Sequence, residues 1–199
     1  MSPLVRRRDY QLIEEIVGEG ARVLDLGCGE GDLLLSLKRY KKVKGYGIES
    51  NEDKVSICVE KGLAVHHGDL ESMIGVYSDN TFDYVILSRT IQEIRNPKRV
   101  LNEIVRIGKQ AIVSFPNFAH WKIRFHLMFK GTAPKNPALP YEWYDSPNSH
   151  YLTVKDFYQF CKAHRIEVLR AEFFSGYSKI SFLPNFFSEE ALFLIKKQK

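Results

Sequence analysis

Residues 23–34 read VLDLGCGEGDLL. An apolar run ends in three glycines at alternate positions, Gly27, Gly29 and Gly31, and a leucine-rich stretch follows. The β-type run ARVLDLG before the glycines and the helical pattern over 32–40 after them predict a strand, a tight loop and a helix. In open α/β sheets that loop borders the crevice where ligands bind. Glycine lets the backbone turn sharply and approach a ligand closely, and the helix start offers free N–H groups and a positive dipole end.

The spacing narrows the ligand class. A Walker loop needs G-x-x-x-x-G-K-[ST], and neither the Lys nor the Ser/Thr is present. A dinucleotide fingerprint needs G-x-G-x-x-G; counted from Gly27, its last glycine would be residue 32, which is Asp32. The carboxylates Asp25, Glu30 and Asp32 would repel a pyrophosphate at close range. They suit a ligand bearing ammonium and sulfonium charge, which S-adenosyl-L-methionine (SAM) carries.

Working outward, the same alternation repeats. Strands are expected at 43–49, 63–67, 82–88 and 111–115, the last stopped by Pro116. Asn51 caps a helix to about residue 61, closed by Gly62, and Pro97 starts another to 107. A helix at 9–17 precedes the first strand. After residue 150, Thr153 and Asp156 form a capping box for a helix to about 164, followed by strands at 166–174 and 191–195. Strands alternating with helices imply a doubly wound, mostly parallel seven-stranded sheet in three layers, α/β/α. The 199 residues suit one domain over 1–199. Its irregular insert, about 117–150, holds four prolines and many aromatics.

Two strand-end carboxylates fit a nucleoside. Glu49 can accept both ribose hydroxyls. Asp69 can accept from an adenine amino group, with Leu70 or Leu63 against the base. DLGCGEG, Glu49 and GDL at 68–70 together resemble class I SAM-dependent methyltransferases. The resemblance implies that Gly27, Gly29 and Gly31 line the methionine part of SAM or S-adenosylhomocysteine, that Glu49 holds the ribose and that Asp69 faces the adenine. Asp25, Cys28, Leu70 and Ser88 complete the cofactor-binding set, with Cys28 as a small wall residue rather than a nucleophile.

No methyl-acceptor signature accompanies them. The fourth strand is followed by Ser88-Arg89-Thr90-Ile91-Gln92-Glu93, without the N-P-P-[YF] of amino-group methyltransferases or the Pro-Cys pair of cytosine C5 enzymes. Arg89 and Glu93, four apart, fit a surface pair as easily as a site. The remaining polar chemistry lies in the insert: His120, Arg124, Tyr141, Tyr144, Asp145, Asn148 and His150, of which His120, Tyr141 and His150 are the catalytic candidates. His126 falls in an amphipathic stretch and reads as packing. His66 and His67 point to opposite faces of a strand, and no metal-ligand spacing occurs.

A closer likeness spans most of the chain. VLDLGCGEGDLL, YGIE, GDLE, FDYVILS, IVSFPNFAHW, LPYEWYDSPN and HYLTVKDF together resemble the MetW family of methionine-biosynthesis proteins. Arg89 stands where that family usually has Gln, and Ala119 where it usually has Gly. The resemblance implies an accessory protein that associates with and activates a MetX-type homoserine O-acetyl- or O-succinyltransferase, and it establishes no methyl acceptor. The alternative is a SAM-dependent methyltransferase acting on a small molecule or a protein.

Composition bounds the rest. Net charge is +5, but the basic runs at 6–8, 38–42 and 196–199 are short and mixed with acids, so they read as solvated faces rather than a nucleic-acid footprint. No apolar run reaches the ~20 residues of a membrane span, and the N-terminus lacks the apolar core of a signal peptide. Three widely spaced cysteines predict no disulfide framework and a reducing cytoplasm.

Overall fold

A computed structural model describes residues 7–135 and 139–198. In chain order the helices are α1 Arg8–Ile16, α2 Asp32–Lys41, α3 Glu52–Glu60, α4 Leu70–Met73, α5 Pro97–Ile107, α6 Trp121–Lys130, α7 Val154–Ala163 and α8 Pro184–Phe187. The strands are β1 Arg22–Leu26, β2 Lys44–Glu49, β3 Ala64–His67, β4 Phe82–Ser88, β5 Gly108–Pro116, β6 Ile166–Ser175, β7 Ser178–Lys179 and β8 Glu190–Lys197.

They form one sheet of order β3-β2-β1-β4-β5-β8-β6-β7. β1 to β5 pair in parallel. β8 enters antiparallel between β5 and β6. The seven expected strands are all present, and the two-residue β7 adds a short hairpin edge to β6. Strand order reverses between β1 and β4, so their C-terminal ends flank the switch-point crevice.

Alternation along the strands splits the core in two. Leu24 and Leu26 of β1, Val85 and Leu87 of β4 and Phe115 of β5 pack with α5 and α7 on one face. Val23, Ile86 and Ile112 from the same strands pack with α1 and with Leu33, Leu34 and Leu37 of α2 on the other. Each such buried side chain contributes about 1.5–3 kcal/mol. Phe193 of β8 anchors the first layer, 4.6 Å from Phe157 and 5.8 Å from Phe115 between ring centres.

Side-chain caps fix where these helices start. Asn51 accepts from the Lys54 N–H at 3.1 Å, Asn96 precedes Pro97 and accepts from Arg99, and Thr153 with Asp156 closes a reciprocal capping box. The insert departs from its irregular expectation by containing α6. That helix buries only Ile123, so His126 is no core residue; its Nε2 lies 3.0 Å from Thr132 Oγ1.

Candidate functional site

The crevice holds a cavity of about 500 Å³ at the C-terminal ends of β1, β2, β3 and β4. The glycine loop forms one wall. It is pinned to β2 because the Gly27 and Cys28 N–H groups both donate to the Ile48 carbonyl, at 2.8 and 3.2 Å. Gly27 has φ +73°, and a Cβ there would lie 2.8 Å from Thr90 Cγ2; only glycine fits between β1 and the loop after β4.

Glu49, at the end of β2, is buried in the opposite wall. One carboxylate oxygen accepts from the Gly29 N–H at 2.8 Å and the other from the Asn51 N–H at 3.0 Å. Each oxygen keeps a lone pair for a further donor, which is what a vicinal diol offers. Asp69 follows β3, starts α4 and accepts from the Glu71 N–H at 3.0 Å. Leu70 stands beside it on the cavity wall.

The far end is built around Asp9 of α1, which is fully buried. Arg7 grips it through Nε at 3.0 Å and Nη2 at 2.6 Å. Ser88 and Ser114, from β4 and β5, donate to it at 2.8 and 3.2 Å. Burial pushes the Asp9 carboxyl up, but the Arg7 charge and hydrogen bonds, with help from Arg89 and Ser88, hold it below the usual range. Arg89, held at φ +53°, makes a two-pronged ion pair with Glu190 of β8.

Six of the residues expected to bind the cofactor therefore line this cavity: Gly27, Gly29, Glu49, Asp69, Leu70 and Ser88. Asp25, Cys28 and Gly31 stand behind it. Cys28 is buried over Gly47, whose Cβ would meet its Sγ at 2.6 Å. A Cβ on Gly31 would lie 2.4 Å from Leu63 Cδ1, so Gly31 lets α2 start against α3 and Leu63 packs there rather than on a base.

Asp25 is buried behind the loop, and its pKa is pushed up to about 7, first by burial and then by Glu49 and Asp9 against the relief from Arg7. A folded-state pKa above the unfolded value means a contribution fully present in acid and lost as pH rises through about 7. Asp25→Asn removes this dependence. The variant is expected to gain on the order of 2 kcal/mol relative to wild type between pH 5.5 and 8.5, read by urea unfolding at both values. A pH-independent difference would count against a protonated Asp25.

The catalytic candidates are not brought together. His120 is buried at the start of α6 and borders a separate cavity with Trp121. Tyr141 lines another beside Leu127. His150 lines a third, between α5 and α7. Among the described residues of the insert, none lines the cavity beside the glycine loop. Arg89 and Glu93 both line the main cavity, so the surface-pair reading fails because β8 supplies Glu190 as the Arg89 partner. Sequence reading also missed Arg7, Lys54 and Thr90 in this lining. Arg7 sat in a basic run read as solvated; its contact with Ser88 on β4 is too distant in sequence to leave a local signal. Among the described residues no group of three or more His, Cys, Asp or Glu could hold a metal ion, and no helix is long and apolar enough to cross a membrane.

The profile of the family "Methionine biosynthesis protein MetW" matches residues 7–195. The chain belongs to the MetW family. A curated relative from Rhodopirellula baltica, the bifunctional methionine biosynthesis protein MetXA/MetW, is 36% identical over 157 residues. The alignment covers 74% of this chain and 25% of that relative, so the MetW chain spans about a quarter of the relative's length. A demethylmenaquinone methyltransferase from Shouchella clausii is 30% identical over 100 residues, 47% of this chain and 43% of its own. Among solved structures, a SAM-dependent methyltransferase from Archaeoglobus fulgidus superposes with TM-score 0.68 at 16% identity, covering 94% of both chains. A Pyrococcus horikoshii protein gives 0.70 at 18%, covering 96% of this chain and 88% of its own. The MetW chain thus carries the class I SAM methyltransferase fold.

Proposed function

We propose that this MetW chain is an accessory protein that binds SAM in the switch-point cavity and associates with a MetX-type homoserine O-acyltransferase, raising its activity. The observation that carries this reading is the Rhodopirellula relative, whose name joins MetXA and MetW in one polypeptide. The scattering of His120, Tyr141 and His150 over three separate cavities supports an accessory role over a methyl-transfer role.

The residues fit SAM. The volume lies in the ordinary range for ligand pockets. Glu49 has free lone pairs for the ribose diol, Asp69 and Leu70 offer a polar and an apolar edge for a base, and Gly27 and Gly29 leave the wall without side chains. Arg7 and Ser88 stand at the end where an amino-acid carboxylate would lie. When bound, SAM supplies an electrophilic methyl group on a sulfonium. This chain's own residues would hold and orient it, since none of the catalytic candidates borders the cavity.

The test is calorimetric titration of SAM into the protein alone and with a MetX-type acyltransferase of the same organism, with acyltransferase turnover followed in parallel. The expected result is SAM binding and a several-fold rise in turnover when the two proteins are mixed. Unchanged turnover would sink the accessory reading, and methyl transfer, which proximity alone can accelerate, would take its place.

A further inference from the structure

We infer that the acyltransferase partner docks on a ridge formed by α6 and the pits on either side of it, and that its matching face is apolar at the centre and acidic at the rim. This rests on the accessory reading above and gives it a place on the molecule.

α6 is unusual for a helix on a folded domain. Only Ile123 is buried, while Trp121, Phe125, Met128 and Phe129 are exposed, Phe129 to 75%. Phe125 and Phe129 stack in parallel at 5.8 Å, and Trp121 meets Phe125 edge-on at 6.1 Å. On one side of the ridge, a pit of about 430 Å³ runs from Trp121 to Phe182 and Phe187 in the segment around α8. On the other, a pit of about 200 Å³ runs from Leu127 to Tyr141 and Trp143. Large exposed apolar side chains clustered in this way mark an interaction site. Concave pits beside aromatic anchors are the form that binding hot spots take.

The charge selects the occupant. α6 carries Lys122, Arg124 and Lys130 and no acidic residue. Arg124 lies over the Phe186 ring, and Lys122 lies over the Trp121 ring and makes an exposed contact with Glu189 at 3.4 Å. Arg124 and Lys130 have no carboxylate partner among the described residues. A two-fold pairing of α6 with its own copy would bring Lys122, Arg124 and Lys130 against themselves, which is repulsive. A lipid surface would cover the ridge but leave both pits unfilled. A protein face with protruding apolar side chains and flanking carboxylates satisfies both the shape and the charge.

The experiment measures affinity between the full chain and the MetX-type acyltransferase of the same organism. Three variants are compared with wild type: the double variant Phe125→Ser/Phe129→Ser, the double variant Lys122→Glu/Lys130→Glu, and Val76→Ser as an exposed control far along the chain. All substituted side chains are exposed, and unchanged thermal midpoints verify folding. The aromatic pair is expected to raise Kd by about 10- to 30-fold, as loss of hot-spot residues does. The charge reversal is expected to slow association about tenfold at low salt, fading at high salt. The control is expected to bind as wild type does. Wild-type binding that both double variants retain would overturn the ridge and leave the accessory reading standing. No wild-type complex would overturn both. Self-association, or pelleting with phosphatidylserine-containing vesicles, that the aromatic variant abolishes would assign the ridge to a second copy or to a membrane instead.

Discussion

Glu49→Ala is expected to weaken SAM binding by at least about 100-fold. Hydrogen bonds to a charged acceptor are worth about 1.5–3 kcal/mol each, and the Glu49 carboxylate would accept two from the ribose. The same side chain organises the wall it faces, because its oxygens hold the Gly29 and Asn51 N–H groups. Removing it loosens the glycine loop at the ligand's other edge, so both effects act in one direction. Glu49→Gln separates them. The amide keeps one acceptor oxygen and sets N–H donors against a backbone N–H, so its affinity should fall between wild type and Glu49→Ala. Calorimetry reads both. An affinity within threefold of wild type for Glu49→Ala would mean that the cavity takes some other ligand or none.

Asp9→Ala is expected to cost about 3 kcal/mol of folding stability. Breaking a buried ion pair typically costs 3–5 kcal/mol because the partner is left without its counter-charge. Arg7 is one-third exposed, which places the value at the low end. The deletion also leaves Ser88 and Ser114 without their shared acceptor. Urea unfolding at neutral pH checks it, and a loss under 1 kcal/mol would show that α1 docks by Leu12 and Ile13 alone. The same carboxylate gives the wild type an acid limb. Its folded pKa is depressed, so its contribution is present above the unfolded value near 4 and disappears as pH falls through the folded one.

Much of this was legible in the sequence. β1 to β5 are short apolar runs bounded by glycine, proline or a capping residue, so both existence and order could be read locally. Gly27, Gly29, Glu49 and Asp69 were legible because a strand-end position fixes where a side chain must be. Arg7, Asp9 and Glu190 were not. Arg7 and Asp9 meet Ser88, and Glu190 meets Arg89, only after the sheet has assembled; nothing within a window of local sequence marks either contact. α6 was legible only as an amphipathic stretch. Its apolar residues lie at 121, 123, 125, 127, 128 and 129, a pattern with no single buried stripe, and the helix indeed has almost no buried face.

The placement of β8 bears on how the protein is made. β6 joins the parallel half of the sheet through β8, which sits between it and β5. Residues 166–175 emerge from a ribosome before 190–197, yet apart from the two-residue β7 they have no strand to join until the later ones arrive. Until then the β5 edge, whose Ala111–Ile112–Val113 core is wholly buried in the finished protein, is an open apolar template. Synthesis thus passes through an interval in which the parallel half is complete and its edge is sticky, and slow translation of residues 176–189 would lengthen the exposure to aggregation.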